Sequence, residues 1–296
     1  MRLHMVGLVT AFLLLLACTA GGPVLDPQRS AELAGSARDA ATQTDPPLMS
    51  EAAVKPPGSR PRLVDPAELA VLSALANPQR PAVDRARDAS RQSAAVLRFF
   101  GISPGMTVLD LYSGGGYYTE ILSYLVGPQG RVVAHNNSSY LQFARDELAT
   151  RYANGRLPNV QRLIAENNAL SLPAGTFDAV LMTDVYHDVY LVDQKIGWSR
   201  IDGPKMLAVI FASMRPGGVL GVVDHAAVPG ALPEAAAALH RIDPGLLKRD
   251  LQAAGFVLDG QSDVLLNPAD DGSRPAFDPA VRGQTNQVVL RFRRPR

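Results

Sequence analysis

The sequence predicts an α/β fold: a seven-stranded, mostly parallel sheet with helices on both faces and an N-terminal helical extension. Three observations carry that expectation. Thr107 to Leu125, TVLDLYSGGGYYTEILSYL, passes from an apolar run through three consecutive glycines into a helical stretch. Downstream, short apolar runs alternate with longer amphipathic segments, the rhythm of strand and crossover helix. Arg215-Pro216-Gly217-Gly218 then makes a turn before a further apolar run, Val219 to Asp224.

The elements follow in order. Asp65 and Pro66 form an N-cap and first-turn pair for a first helix, with Leu69, Leu72 and Leu75 on its apolar side. A second helix is expected from Ala82 to Phe100. There Ala94, Ala95, Leu97 and Phe100 turn inward, while Arg85, Arg87, Asp88 and Arg91 form a charged face, read as solvated in preference to a phosphate or substrate patch. Val108, Leu109 and Leu111 make the first strand a buried one, with Asp110 at its carboxyl end. Arg131 to His135, Val160 to Ala165, Phe177 to Met182 and Val219 to Asp224 read as the next four strands, and Phe256 to Leu258 and Asn286 to Phe292 complete the sheet. Helices fit Ser139 to Ala153, Gly203 to Met214 and Pro244 to Ala254, the last stopped by Gly255.

The chain's 29 basic and 28 acidic residues leave a net charge of +1, so bulk electrostatics gives no reason to expect nucleic acid as a partner. The N-terminus differs in kind. Arg2 precedes an apolar run from Met5 to Ala17 that matches a secretory signal and falls short of the ~20 residues a membrane helix needs. Leu15-Leu16-Ala17-Cys18 resembles a bacterial lipobox, which makes Cys18 the expected lipidation site and membrane anchor; cleavage after Ala20 as an ordinary signal peptide is the alternative. The expected layout is a signal peptide at 1–17, a Pro/Ala/Gly-rich tether at 18–61, a helical extension at 62–100 and the main domain at 101–296. The expected location is the periplasmic side of a bacterial membrane, as a lipoprotein or as a soluble periplasmic protein. Cys18 is the only cysteine, so the mature domain has no disulfide framework and no thiol nucleophile.

The glycine turn suggests a ligand carried onto a helix N-terminus at the carboxyl edge of the sheet. The nicotinamide fingerprint GxGxxG fails at Thr119. In the frame DxGxGxG, Asp110, Gly114 and Gly116 fit and Tyr112 replaces the first glycine. Ser171 to Met182, SLPAGTFDAVLM, and Arg215 to Asp224, RPGGVLGVVD, follow in the matching order. On these motifs the chain resembles class I S-adenosylmethionine-dependent methyltransferases over roughly Gly101 to Asp224, and within them a group of predicted exported bacterial methyltransferases sharing its GGGYYTE, YHD, VVDHAA and HRIDP segments.

That resemblance implies a Rossmann-like class I methyltransferase fold and S-adenosylmethionine as cofactor. By position it implies that Asp110, Tyr112, Gly114, Gly115, Gly116 and, after the fourth strand, Asp184 line the cofactor site. The acidic residue that normally grips the ribose at the end of the second strand is missing: Ala134-His135-Asn136 stands there, and Asn136 also suits a simple turn with Asn137. Before the fourth strand Asn168 takes the place of an aspartate near the adenine. An asparagine still accepts a hydrogen bond, at a loss of about 1 kcal/mol.

Tyr186, His187 and Asp188, after Asp184 at the end of the fourth strand, form the densest polar cluster at the expected catalytic edge. His187 suits a base or a substrate positioner, with Asp188 or Asp184 fixing its tautomer, or a structural histidine closing the loop. Asp224 and His225 at the end of the fifth strand can join it, and Trp198, Tyr190 and Tyr117 or Tyr118 suit either stacking on a planar substrate or packing. No HxxxH or HxH spacing is present, so no metal site is expected. The expected activity is methyl transfer to a small molecule or an envelope component; the alternative is a non-catalytic binding protein that retains the fold.

Overall fold

The computed structural model describes residues 65–296. The expected signal segment, Cys18 and the tether lie outside the described residues.

The described chain forms one seven-stranded sheet with strand order β3-β2-β1-β4-β5-β7-β6. Three helical segments come first: α1 (Pro66–Leu75), α2 (Ala82–Arg85) and α3 (Ser93–Phe100). The expected single helix from Ala82 to Phe100 is therefore two, separated by turns over 86–92 that end at Gln92 with a left-handed backbone, φ 45°. The alternating part then runs β1 (Thr107–Leu111), α4 (Tyr117–Val126), β2 (Arg131–Asn136), α5 (Ser138–Arg151), β3 (Val160–Ile164), β4 (Phe177–Thr183), α6 (Gly203–Ser213) and β5 (Met214–His225). The chain closes with α7 (Glu234–Leu239), α8 (Pro244–Ala253), β6 (Val257–Ser262) and β7 (Gln287–Arg293). Strands β1 to β5 pair in parallel, while β7 inserts antiparallel between β5 and β6.

The period of two along each strand builds two cores. Leu109 and Leu111 of β1, Val180 and Met182 of β4, Leu220 and Val222 of β5 and Leu290 of β7 face the layer that holds α6 and α8. Val108, Ala179, Leu181, Val219 and Val289 face the other layer, where Val96, Leu97 and Phe100 of α3 meet Ile121 and Leu122 of α4. Gly221 of β5 admits this packing: a Cβ there would lie 2.6 Å from the Phe100 ring. The helical extension is thus part of the sheet's own core. Among the described residues no helix is long and apolar enough to cross a membrane.

Candidate active site

The carboxyl ends of β1, β2, β4 and β5 meet at one edge, and the backbone there is held in rare conformations. Tyr112, directly after β1, has φ 53°, and Asp184, directly after β4, has φ 59°. Left-handed backbone at a tyrosine and an aspartate costs energy that local sequence does not repay, and such residues concentrate at functional sites. Gly114 and Gly116 have φ 55° and 81°, for which glycine is the natural residue.

The turn from Ser113 to Gly116 is braced from two sides. The Asn136 amide oxygen accepts from the Gly114 N–H at 2.9 Å, and its NH2 donates to Ser113 Oγ at 3.1 Å and to the Gly114 carbonyl at 3.0 Å. Asn136 is therefore committed to the turn, not presented to a ribose. From α5, Arg151 donates to the Gly115 carbonyl and pairs with buried Glu120 and Asp84. The would-be Cβ of Gly116 meets Arg151, and that of Gly115 meets Glu147, so neither glycine tolerates a side chain without movement of its neighbours. Asp110 is buried and accepts from Thr119 Oγ1 at 2.6 Å, tying β1 to α4; burial pushes its pKa up to about 6, against the opposing bond from Thr119. It organises the turn from behind.

Two adjoining cavities open on this turn. One, of about 480 Å³, is lined by Gly114, Gly115, Tyr118, Asp184, His225 and Gln287 among others. The second, of about 640 Å³, shares Gly114, Gly115, Tyr140, Glu147 and Asp184 with it and reaches His187, Asp188 and His240. Together they form a cleft of the size small-molecule sites have. Arg91 lines it too, 3.1 Å from Asp184 and stacked over the Tyr117 ring, so this arginine is not on a solvated face.

His187 sits in a single turn of 3-10 helix, Tyr186–Val189, and is buried. Its Nδ1 lies 2.7 Å from Asp224 Oδ1, and its backbone N–H donates to Asp224 Oδ2 at 2.8 Å. Burial disfavours the imidazolium, yet Asp224 first, then Asp188 and Asp184, outweigh it and raise the pKa to about 9. The ring is thus a cation at neutral pH, suited to orienting an anionic oxygen rather than to taking a proton. Burial raises the pKa of Asp188, while His187 holds that of Asp224 down despite its burial. His225 Nδ1 is 2.7 Å from Thr285 Oγ1 and its Nε2 3.9 Å from Asp184.

Other expected residues stand elsewhere. Tyr186 points to the opposite side, where its hydroxyl and that of Tyr190 donate to Asp250 in a separate cavity of about 750 Å³. Asn168 lines that same cavity, accepting from the Asp202 N–H and donating to the Arg200 carbonyl. Its neighbour Asn167 is the buried one, accepting from the Tyr112 hydroxyl at 3.1 Å and from Asn137 at 2.7 Å. Trp198, by contrast, lines the 640 Å³ cavity while packed beside Tyr112 and Tyr140, and its indole N–H donates to the Asp188 carbonyl. Tyr140, Glu147, Arg91 and Gln287 are cleft residues without a sequence signal, since helix periodicity does not say which distant loop a helix covers. Among the described residues the fold also gathers His187, Asp188 and His240, with ligand atoms within 4.8 Å of one another, although no local spacing announces them.

Comparison with known proteins bears on what this edge does. A model of the family protein-L-isoaspartate(D-aspartate) O-methyltransferase matches residues 75–189, less than half of the chain. The ubiquinone/menaquinone biosynthesis C-methyltransferase of Hydrogenovibrio crunogenus is 35% identical over 133 residues, 45% of this chain and 47% of that one. The protein with the same description from Pasteurella multocida is 34% identical over 125 residues, 42% of this chain and 41% of that one. The chain spans about half the length of the curated relatives it matches. A crystal structure of a SAM dependent methyltransferase from Aquifex aeolicus aligns at TM-score 0.47 and 23% identity over 67% of this chain and 87% of its own. Over residues 75–189, which include the glycine turn and the β4 edge, the chain is therefore similar to methyltransferases, with oxygen as acceptor in the family's name and carbon in the relatives' names.

Proposed function

We propose that the protein transfers a methyl group from S-adenosylmethionine to an acceptor that enters the cleft beside His187. The observation that carries this reading is that a glycine turn at a helix N-terminus and a histidine clamped on a buried carboxylate face one cleft. S-adenosylmethionine would supply an electrophilic methyl on its sulfonium, which an acceptor atom attacks in line with S-adenosylhomocysteine as the leaving group.

The residues present fit the amino-acid end of that cofactor well. The first N–H groups of α4, beside Gly115 and Gly116, favour a carboxylate. Asp184 and Glu147 place carboxylates where an ammonium and a sulfonium are attracted. Tyr140 offers a ring to a planar group. His187, held by Asp224, orients an anionic acceptor oxygen, and orientation is what a displacement at a methyl chiefly needs. The acceptor is a small molecule or an envelope component.

Calorimetric titration of the full chain with S-adenosylmethionine and S-adenosylhomocysteine tests the reading. Saturation at 100 times Kd raises stability by about 2.7 kcal/mol. Absence of both heat and stabilisation at millimolar ligand refutes it. A non-catalytic binding protein with this fold is the second reading, favoured by Asn136, whose amide is spent on the glycine turn where a ribose ligand is expected.

The proposal includes an exported lipoprotein anchored through Cys18, supported by the apolar run and the Leu15-Leu16-Ala17-Cys18 segment. Replacement Cys18→Ser then releases the protein from the membrane fraction. Unchanged membrane association in that variant counts against the anchor.

A further inference from the structure

We propose that His187 Nε2, Asp188 Oδ1 and His240 Nδ1 form a binding site for a divalent transition-metal cation of the zinc type. The three ligand atoms lie within 4.8 Å of one another on the wall of the 640 Å³ cavity. His187 Nε2 is 3.4 Å from Asp188 Oδ1, and His240 Nδ1 is 4.0 Å from the same oxygen. Donor atoms about 2.1 Å from a tetrahedral zinc stand ~3.4 Å apart, so a small inward movement of His240 completes the geometry.

The second shell is what such a site requires. Asp224 accepts from His187 Nδ1–H at 2.7 Å, so the proton that a bound metal displaces from the imidazolium is the one on Nε2, the nitrogen that faces the cluster. A metal-ligating histidine characteristically has its other nitrogen bound in this way. Asp188 is fixed likewise: its Oδ2 accepts from the Tyr140 hydroxyl at 2.8 Å, which leaves Oδ1 toward the histidines. The two imidazoles meet at 90° with centroids 5.4 Å apart, edge toward face, and each has a nitrogen within 4.0 Å of the shared carboxylate oxygen. Asp184 and Asp224 add negative charge around a site whose ligands would carry a single carboxylate.

Two nitrogens and one oxygen suit zinc and its neighbours better than magnesium or calcium, which prefer all-oxygen shells. Three protein ligands leave a fourth position open toward the cleft, the pattern of a site that binds an exchangeable group. An acceptor with an anionic oxygen would fill it. The inference stands on the cluster itself and holds whether or not the cleft takes S-adenosylmethionine.

The test uses the full chain stripped with a chelator and titrated with Zn²⁺ by calorimetry and with Co²⁺ by visible absorption. The expected result is one Zn²⁺ per chain with Kd below ~1 μM and the strong visible bands of four-coordinate Co²⁺. His240→Asn, which suits the left-handed backbone at 240 (φ 49°), and Asp188→Asn each weaken binding at least tenfold, and Asp224→Asn weakens it about 10–100-fold. Thermal unfolding of each variant confirms that it is folded. No Zn²⁺ binding in the parent chain, or undiminished binding in folded His240→Asn, overturns the proposal. S-adenosylmethionine titrated into the same metal-free sample separates the two readings, because heat without Zn²⁺ binding sinks the metal site alone and the converse sinks the methyltransferase alone.

Discussion

His187 gathers most of the chemistry at the residue scale, and its surroundings decide what it does. An imidazole buried alone would be neutral, but Asp224, Asp188 and Asp184 hold its pKa at about 9. Replacing it with alanine removes the group proposed to orient the acceptor without touching the glycine turn. Turnover in His187→Ala is expected to fall by about 10²-fold or more, with S-adenosylmethionine affinity unchanged. Steady-state kinetics beside a binding titration checks this, and a parallel loss of affinity would assign His187 to structure. His135 shows the opposite case. Its Nδ1 faces the Tyr112 N–H at 3.4 Å, its Nε2 lies 3.0 Å from the Ala165 carbonyl, and burial pulls its pKa down to about 4.

At the scale of elements, α3 lies on β5 because β5 has a glycine at the contact. A Cβ at Gly221 would sit 2.6 to 2.7 Å from three carbons of the Phe100 ring. Gly221→Ala is therefore expected to destabilise by about 1–3 kcal/mol through overpacking. In the double variant with Phe100→Leu the cost should be less than the sum of the single costs, since the two residues share one space. Denaturant midpoints decide it, and strict additivity would mean that the ring is not the obstacle. The same element level explains the broken helix before Phe100. Its charged residues are drawn into separate pairs: Arg87 with Asp84, Arg80 with Asp88, and Arg91 with Asp184, which lies more than ninety positions further on. Local periodicity gives no view of such partners.

For the whole molecule, Arg151 links the helical extension to the glycine turn. It pairs with Asp84 of α2 and Glu120 of α4, all three nearly inaccessible, and donates to the Gly115 carbonyl. Arg151→Met leaves two buried carboxylates with only Arg87 and Arg156 for company. A loss of ~3 kcal/mol is expected, at the lower end for a broken buried pair because those partners remain. A midpoint shift worth under ~0.5 kcal/mol would show the network to be unimportant. Stability of the whole fold should also depend on pH through His135. The native state holds it neutral down to about pH 4, whereas an unfolded histidine takes up a proton near 6.5. Between these values the unfolded state binds more protons, so stability falls as pH falls. His135→Gln should flatten this part of the melting-temperature profile, and an unchanged profile would rule the residue out as its source.

The sheet, the glycine turn and the identity of its flanking elements were legible because each rests on local signals: period two, glycine at positive φ, proline at helix starts. The cleft's electrostatics were only half legible. His187, Asp224 and His225 were visible as polar residues at strand ends, where the topology of an open sheet brings chains together. Asn136 and Asn168 were assigned by register, yet Asn136 turned onto the glycine loop and one residue of helical rotation exchanged Asn167 for Asn168. Tyr186, one position from His187, faces Asp250 on the other side for the same reason.

Sequence alone thus determined the seven strands and most of the helices, though neither the break before α3 nor α7, and at which edge a ligand is expected, since backbone propensity and hydrophobic period act over a few neighbouring residues. Only the tertiary structure decided which side chains meet there. His240 reaches Asp188, Arg91 reaches Asp184 and Asp224 fixes His187 through contacts between segments distant in the chain, and hydrogen bonds and charge fields act through space without regard to sequence separation.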